Sequence, residues 1–455
     1  MAEVVVVGGG IAGLTAAHEL EKLGLRTTVL EAAAQVGGKI RTTEFGGRPV
    51  DEGADMFLAR EPWAVELCDE LGMRDELTPP ATTGASIWRD GRLRRIPRGH
   101  VLGVPFDFEA LAETDLLDPA DLARAAREPE LPGEPLTGDE SIGSLVRRRF
   151  GDGVAAHLLA PLVSGVHAGD IDRLSVEVVA PRVADAARRG PSVARGLRDE
   201  RDRDRPGPSA PLFLAPRGGM GRLVQRLTEE LADRIQTGVA VEAVRASRGG
   251  HHIDTSEGEI SATGVIVAAP AWAASLMLAD LCPEAAVALG SIDYAPVALA
   301  TLGYPAGVGG TDFTGSGFLV DPSADLMMTA CSWGSLKWPA WSPPDRVVLR
   351  VSAGHRGDHR PIHLDDCKLL AQLRADLRTT VGMTAEPAEV RITRYPHALP
   401  QFDVDHLSRV ERIEHALGEA AARVVLTGSS YRGLGVPACI RQAREAAALL
   451  QDRLG

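Results

Sequence analysis

Residues 3–31 carry the first regular hydrophobic pattern of the chain. Val4–Val7 form a short β-branched run, which is typical of a strand buried on both faces. Beyond a glycine-rich turn, apolar residues recur at helical spacing until Gly24, a residue type that commonly ends a helix. A second strand pattern, Thr27–Leu30, ends in Glu31. The stretch therefore predicts a strand, a turn, a helix and a second strand in succession.

The hydrophobic pattern changes twice further along the chain. From about residue 107 to 205 the apolar residues follow a helical period, with a break at Asp118-Pro119. Residues 290–390 alternate short strand signals with turns, which predicts an antiparallel sheet. The mixed-charge run Arg198–Pro208 and the Pro- and His-rich run Arg391–His406 predict exposed loops.

Two shorter patterns complete the predicted elements. Asp90-Gly91 in the middle of Ser86–Pro97 predicts a β-hairpin. Near the C-terminus, the strand pattern Val424–Leu426 runs into glycine turns. A last helix is expected to begin at about Pro437, because proline is favoured in a first helical turn.

The turn after the first strand has the GxGxxG spacing at Gly8, Gly10 and Gly13. Gly8 permits a tight turn, Gly10 lets a pyrophosphate approach the backbone, and Gly13 lets helix and strand pack closely. The helix N-terminus offers free N–H groups to the phosphates. Glu31 suits a ribose diol and would repel a 2′-phosphate, which favours FAD or NAD over NADP.

The residues after Glu31 favour FAD over NAD. The segment VGGKIRT contains Gly37, Gly38, Lys39, Arg41 and Thr42. It resembles the second glycine motif of the glutathione-reductase-like flavoproteins, GG(R/K)xxT. A glycine pair just past the ribose acid fits a long dinucleotide lying over the chain, and the basic side chains can meet phosphate or flavin oxygens.

Together with the resemblance to the glutathione-reductase-like flavoproteins, these patterns imply an α/β protein with a glutathione-reductase-like, Rossmann-type FAD domain, an α+β substrate domain and a helical insertion. The predicted boundaries are 1–85, 206–285 and 391–455 for the discontinuous FAD domain, 86–106 and 286–390 for the substrate-binding sheet domain, and 107–205 for the helical domain.

Composition narrows the classes of function. With a net charge of −13 over 455 residues, binding to nucleic acid is not expected. The five cysteines are scattered without a CxxC pair, so we expect free thiols, no metal site and a reducing, cytoplasmic location. The N-terminal strand leaves no signal peptide pattern, and the most apolar run, 265–279, is too short to span a bilayer.

A local basic patch lies on the predicted hairpin of this acidic chain. It could face an anionic substrate, or it could be a solvated hairpin surface. Its members are Arg89, Arg92, Arg94, Arg95 and Arg98. His167, within LLAPLVSGVHAGD, is a second candidate for substrate contact, although a lone histidine is more often structural.

Seven segments along the chain together resemble the porphyrinogen oxidases of haem synthesis. They are GGGIAGL, EAAAQVGGKIRT, DEGADMF, PLVSGVHAGD, APRGGMGRL, YPHALPQF and TGSSYRGLGVPACIRQA. The resemblance runs end to end and is strongest to the bacterial, Gram-positive-type branch. Members of that branch oxidise coproporphyrinogen III to coproporphyrin III and use O2 as the acceptor.

The resemblance implies a six-electron aromatisation in three rounds. Each round would transfer a hydride to flavin N5 with loss of a pyrrole N–H proton, and O2 would reoxidise the flavin and yield H2O2. No catalytic acid or base is assigned, because positioning against N5 can suffice. The resemblance also allows transient contact with the next enzyme of haem synthesis and peripheral contact with a membrane.

The same resemblance implies which residues contact FAD. It places the backbone of Val241 at the adenine end and the glycine-flanked last helix at the N1/O2 edge of the ring. The implied contacts are Gly8, Gly9, Gly10, Ile11, Ala12, Gly13, Glu31, Ala32, Gly38, Lys39, Gly53, Ala54, Asp55, Met56, Val241, Gly428, Ser429, Leu434, Gly435 and Val436. For the substrate, the candidates are Arg89, Arg95 and His167.

Several alternatives stay open at this point. Eukaryotic-type relatives carry an arginine just before the hairpin strand, and the matching position here is Ala85, so propionate recognition is unassigned and protoporphyrinogen IX is an alternative substrate. A flavin amine oxidase or a carotenoid desaturase shares the front end of the chain. An aromatic content of 4% and the scarcity of lysine count against the amine oxidase. An escort-type binding protein would have lost the flavin, which the intact glycines and Glu31 oppose.

Overall fold

The structure is a computed structural model, and it describes residues 3–203, 211–308 and 313–455. Within these ranges the strands are β1 Glu3–Val7, β2 Arg26–Glu31, β3 Thr42–Phe45, β4 Arg48–Asp51, β5 Phe57–Leu58, β6 Leu77–Thr78, β7 Ser86–Arg89, β8 Arg92–Arg95, β9 His100–Val101, β10 Val104–Pro105, β11 Phe213–Pro216, β12 Ile235–Thr237, β13 Val241–Ser247, β14 Gly250–Thr255, β15 Gly258–Ala262, β16 Gly264–Val267, β17 Tyr294–Pro305, β18 Gly317–Val320, β19 Met328–Ser332, β20 Arg346–Ala353, β21 Glu389–Pro400 and β22 Val424–Leu426.

The helices of the described ranges are α1 Ile11–Lys22, α2 Pro62–Glu70, α3 Phe108–Ala112, α4 Pro119–Ala126, α5 Ile142–Phe150, α6 Asp152–Val154, α7 Ala160–His167, α8 Val176–Val179, α9 Pro181–Arg189, α10 Val193–Arg203, α11 Gly221–Glu230, α12 Ala271–Met277, α13 Pro283–Gly290, α14 Gly334–Lys337, α15 Arg360–His363, α16 Asp366–Val381, α17 His406–Ala420 and α18 Val436–Leu454. Ala155–Leu159 is a π-helical turn between α6 and α7. Short 3₁₀ turns occupy Arg74–Glu76, Glu128–Glu130, Ala232–Arg234 and Pro339–Trp341.

A parallel sheet of five strands forms the nucleotide-binding part, in the order β12-β2-β1-β16-β22. β1 pairs with β2 on one side and with β16 on the other, so Val4–Val7 are buried as the apolar run predicted. Helices α1 and α18 pack against one face of this sheet. Between β12 and β16, the chain forms a small antiparallel sheet, β13-β14-β15. The predicted α/β class is confirmed.

A second sheet has seven strands in the order β21-β17-β20-β19-β18-β7-β8. The hairpin β7–β8 turns at Asp90 and Gly91, whose φ values of 50° and 79° are those of the tight turn that an Asp-Gly pair favours. β7 joins β18 in parallel, which brings this early hairpin to the edge of a sheet built from residues 294–400.

The loop predicted over Arg391–His406 is wrong, because residues 389–400 form the long strand β21. Its prolines suggested a loop, yet β21 is an edge strand, where proline costs least. Pro396 lies in the stretch where the register with β17 shifts, opposite Pro296. Residues 391–400 therefore lie in the seven-stranded sheet and not in the nucleotide-binding part predicted for them.

The helical insertion contains the predicted helices, but the loop predicted from Arg198 needs one correction. Asp118 caps α4 by accepting from the Asp121 N–H at 2.9 Å, which explains the break between α3 and α4. The charged run from Arg198 is helical as far as Arg203, because α10 buries Val193, Ala194 and Leu197 and exposes its charges. The rest of that predicted loop, 204–208, lies outside the described residues. No helix in the described part of the chain is long and apolar enough to cross a membrane.

We expect two glycine replacements to change the free energy of unfolding in opposite directions, because Gly13 is closely packed between α1 and β1 whereas Gly418 in α17 is not. A Cβ atom at Gly13 would lie 1.9 Å from the Gly8 carbonyl oxygen, so Gly13→Ala must displace the backbone. We expect it to lower the free energy of unfolding by about 1–3 kcal/mol. In Gly418→Ala, the new methyl group in α17 meets only the end of Arg453, and the helix should gain about 0.5–1 kcal/mol. Urea denaturation measures both changes, and equal effects would contradict this account.

Candidate active site

The glycine turn after β1 leaves backbone exposed for a ligand. Gly8 has a φ of 104°, which brings its carbonyl against Gly13 and allows the tight turn. A Cβ atom at Gly10, in contrast, would have no protein atom within 4 Å. Gly10 is therefore the open position of the turn, where a pyrophosphate can approach the N-terminus of α1.

Glu31 lies at the carboxyl end of β2, beside the turn. Its Oε2 accepts from the Gly9 N–H at 2.7 Å and its Oε1 accepts from the Ala33 N–H at 2.8 Å. These two bonds fix the orientation of the carboxylate while leaving lone pairs for a ribose diol.

The second glycine pair brings a cation beside the turn. Gly37 and Gly38 have φ values of 110° and 57°, and the Gly37 N–H donates to the Gly9 carbonyl at 2.7 Å. Lys39 follows, and its Nζ donates to the Ala398 carbonyl of β21. Burial lowers the pKa of Lys39 to about 8, and no carboxylate in the described part of the chain pairs with it. An unpaired buried ammonium favours an anionic ligand.

A single cavity of about 740 Å³ joins these features to the face of the seven-stranded sheet. Of the residues predicted to contact the cofactor, its wall contains Gly8, Gly10, Ile11, Ala12, Glu31, Ala32, Gly38, Lys39, Gly53, Ala54, Met56, Val241, Gly428, Ser429, Leu434, Gly435 and Val436. The sheet side of the wall adds Val297, Leu299, Thr329, Ser352, Tyr395, Ala398 and Leu399. Helix α7 adds Ser164 and Gly165, and Ala168 follows it.

Three of the predicted contact residues do not line the cavity. Gly9 and Gly13 support the turn from behind, where Gly9 binds Glu31 and Gly13 packs on Gly8. The side chain of Asp55 is buried in an ion cluster with Lys337 and Arg350, each at 2.8 Å. Neither Lys337 nor Arg350 lies near a recognisable motif, so nothing in the sequence pattern indicated that they would pair with Asp55.

The predicted substrate residues also lie away from the cavity wall. Arg89 and Arg92 are paired with Asp90 at 3.2 Å and Asp115 at 2.7 Å, and Arg95 is exposed on the outermost strand, β8. The patch is thus largely neutralised by its own aspartates.

His167 ends α7 behind the cavity wall. Its ring packs against Phe402, with ring centroids 6.5 Å apart, and burial lowers its pKa to about 4. These properties fit a neutral, structural histidine.

The cavity wall holds few groups that can move a proton. Glu31, Lys39, Tyr395 and Cys439 are its titratable side chains among the described residues. Burial raises the pKa of the Cys439 thiol to about 12 and also raises the pKa of Tyr395. The site therefore suits a reaction in which a bound cofactor carries the chemistry and the protein orients the reactants.

Comparison with known proteins identifies the class. The model of the family of flavin-containing amine oxidoreductases matches residues 11–451. The coproporphyrinogen III oxidases of Bacillus subtilis and Mycobacterium tuberculosis H37Rv are 32% and 35% identical to this chain, each over 97% of it and over 96% and 95% of their own lengths. A crystal structure of a putative protoporphyrinogen oxidase from Exiguobacterium sp. 255-15 superposes with a TM-score of 0.88 at 29% identity, covering 99% of both chains. The chain therefore belongs to the flavin-containing amine oxidoreductases and, within them, to the porphyrinogen oxidase family. Its cofactor is a flavin.

The open position at Gly10 predicts a variant that folds but binds flavin poorly. In Gly10→Ala the new methyl group meets no protein atom, so the thermal midpoint of the flavin-free protein should stay close to that of wild type. The methyl group would occupy the space of the phosphates, and we expect flavin nucleotide affinity to fall at least about tenfold, roughly 1.4 kcal/mol. Fluorescence titration of the flavin-free protein measures the affinity. Unchanged affinity would exclude Gly10 as the phosphate cradle.

The lowered pKa of Lys39 predicts a pH dependence of flavin binding. An anionic ligand favours the ammonium form, so affinity should be full below about pH 8, where Lys39 is already charged. Above that pH, binding requires proton uptake, and affinity should fall by up to about tenfold per pH unit. Titrations of wild type between about pH 7 and pH 10 test this. In Lys39→Met the slope should disappear, and a flat wild-type profile would contradict the assignment.

Proposed function

We propose that this chain is an FAD-dependent oxidase that converts coproporphyrinogen III into coproporphyrin III, with O2 as acceptor and H2O2 as product, in haem synthesis. The observation that carries the proposal is one cavity, which runs from the glycine turn after β1 to an uncharged wall on the seven-stranded sheet. Full-length similarity to coproporphyrinogen III oxidases at 32–35% identity supports the same reaction.

FAD, rather than a mononucleotide, is supported by the extent of the nucleotide side of the cavity. Glu31 and Val241 lie at one end of it, and Gly428 and Gly435 precede α18 at the other. When bound, the flavin accepts two electrons from each of three successive oxidations, and three O2 molecules then take up the six electrons and six protons as H2O2.

In this proposal the protein contributes orientation and charge. Gly53, Ala54 and Met56 line the cavity from the loop after β4, and Val297 and Leu299 of β17 line it from the sheet. The apolar surfaces would hold a porphyrinogen, whose saturated bridging carbons keep its four pyrrole rings out of one plane, and would exclude water from the reacting carbon. The N-terminus of α18 at Val436 presents N–H groups that favour negative charge on the reduced ring.

The proposed division of labour modifies the predicted domains at one boundary. The sheet domain of 86–106 and 286–390 gains residues 391–400, because β21 pairs with β17 along most of its length. The same proposal includes a reducing, cytoplasmic location, which five free thiols support, and transient transfer of the product to the next enzyme.

Turnover of two porphyrinogens tests substrate and acceptor together. Purified protein should be yellow, release FAD on denaturation, and convert coproporphyrinogen III to fluorescent coproporphyrin in air with stoichiometric H2O2. Oxidation should stop without O2 once the flavin is reduced. A parallel reaction without protein serves as the control for spontaneous oxidation. A clear preference for protoporphyrinogen IX would assign the alternative substrate, and a colourless protein would overturn the proposal.

A further inference from the structure

A buried ion cluster joins the nucleotide-binding part to the seven-stranded sheet. The Oδ2 atom of Asp55 accepts from Lys337 Nζ at 2.8 Å, from Arg350 Nη2 at 2.8 Å and from Trp338 Nε1 at 3.2 Å. Burial alone would raise the pKa of Asp55, but the two cations outweigh burial and lower the pKa to about 2. The Asp55 carboxylate is therefore ionised at every physiological pH. Sites with such charges are costly to bury unless all members are paired.

Arg350 also holds the main chain of the neighbouring loop. Its Nη1 donates to the Gly53 carbonyl at 2.8 Å and to the Asp51 carbonyl at 3.2 Å. One planar guanidinium thus fixes both ends of the segment 51–55, a geometry that the point charge of a lysine cannot reproduce. Its plane also lies over the Trp341 ring, 5.0 Å from the centroid.

The two surfaces that this arginine connects both line the cavity. Gly53, Ala54 and Met56 belong to the wall on the nucleotide side. On β20, Arg350 and Ser352 point to the same face of the sheet, because side chains alternate along a strand, and Ser352 lines the cavity on the sheet side. Two residues of one strand thus meet the loop and the sheet side of the cavity.

We propose that Arg350 and Lys337 are positioning residues for the oxidation, which act through Asp55 to fix the spacing between the loop 53–56 and the sheet that holds the substrate. This inference rests on the proposed function for the identity of the substrate. A displacement of about 1 Å between reacting groups can cost 10²-fold in rate, so loss of this spacing should slow electron transfer from a porphyrinogen far more than it weakens binding.

The other charged groups around the cluster have their own partners. Asp51 accepts from Thr42 Oγ1 and from the Met220 N–H, and Glu52 lies 3.7 Å from Arg41. Arg391 donates to Thr43 Oγ1 at 2.7 Å. Asp55 is thus the only carboxylate of the described residues that forms an ion pair with both Lys337 and Arg350.

Arg350→Lys tests the proposal because it keeps the charge and removes the fork. We expect flavin to remain bound, with a shifted visible spectrum, since the loop beside it moves. Anaerobic reduction of the flavin by coproporphyrinogen should slow by about 10- to 100-fold, with KM changed less than about threefold. Reduction by dithionite, which needs no placement on the sheet, should be unchanged.

Arg346→Lys provides the matched control. Arg346 lies on the same strand and pairs with Glu389 at 3.3 Å on the surface, so all these rates should equal those of wild type. If Arg350→Lys fails to fold, Trp338→Phe, which removes one donor from Asp55, should shift the spectrum and the rate in the same direction by less. The proposal would be overturned if Arg350→Lys, or Trp338→Phe in its place, were reduced by coproporphyrinogen at the wild-type rate. Failure of the wild type to oxidise coproporphyrinogen would refute the proposed function instead, and the spectral comparison would still decide the positioning role.

Discussion

The buried carboxylate of Asp55 joins the nucleotide-binding part to the seven-stranded sheet at the edge of their cavity. Side chains of the nucleotide-binding sheet and of the antiparallel sheet cannot pack against each other across the cavity, because ligands bind in that space. The two layers must therefore be joined at its edge. Asp55 does this with bonds of 2.8 Å to Lys337 and Arg350, both from the sheet half of the chain. In a buried setting the arrangement is stable only when every partner is present.

Backbone, more than side chains, forms the nucleotide end of the cavity. Gly8 and Gly13 remove the space between β1 and α1, and Gly10 leaves it open toward the ligand. The resulting turn exposes N–H groups at the start of a helix, which gives an acidic protein a local attraction for phosphate. Lys39 adds a cation that no carboxylate in the described residues neutralises. The nucleotide side of the cavity thus contains the charged groups Glu31 and Lys39, whereas the described residues of the wall on the sheet side include no charged side chain.

The chemistry inferred for the site agrees with the scarcity of acids and bases in it. Removing electrons from a porphyrinogen requires that the substrate lie close to the flavin in a fixed orientation. The shape of the cavity can provide both. Two arginines of the β7–β8 hairpin, Arg89 and Arg92, pair with Asp90 and Asp115 at the outer edge of the sheet.

Local patterns were sufficient for several features that depend on neighbours in the sequence. The glycine spacing, Glu31, the break at Asp118-Pro119 and the turn at Asp90-Gly91 act within a few residues, so the sequence alone determined the nucleotide fold. It did not determine β21, because a proline-containing segment becomes a strand only when an edge position and an irregular register are available. Nor did it show that Asp55 faces two cations instead of the cofactor, since Lys337 and Arg350 come from distant parts of the chain. Pairing across such separations is set by how the two sheets close on one another, and only the tertiary structure decides that.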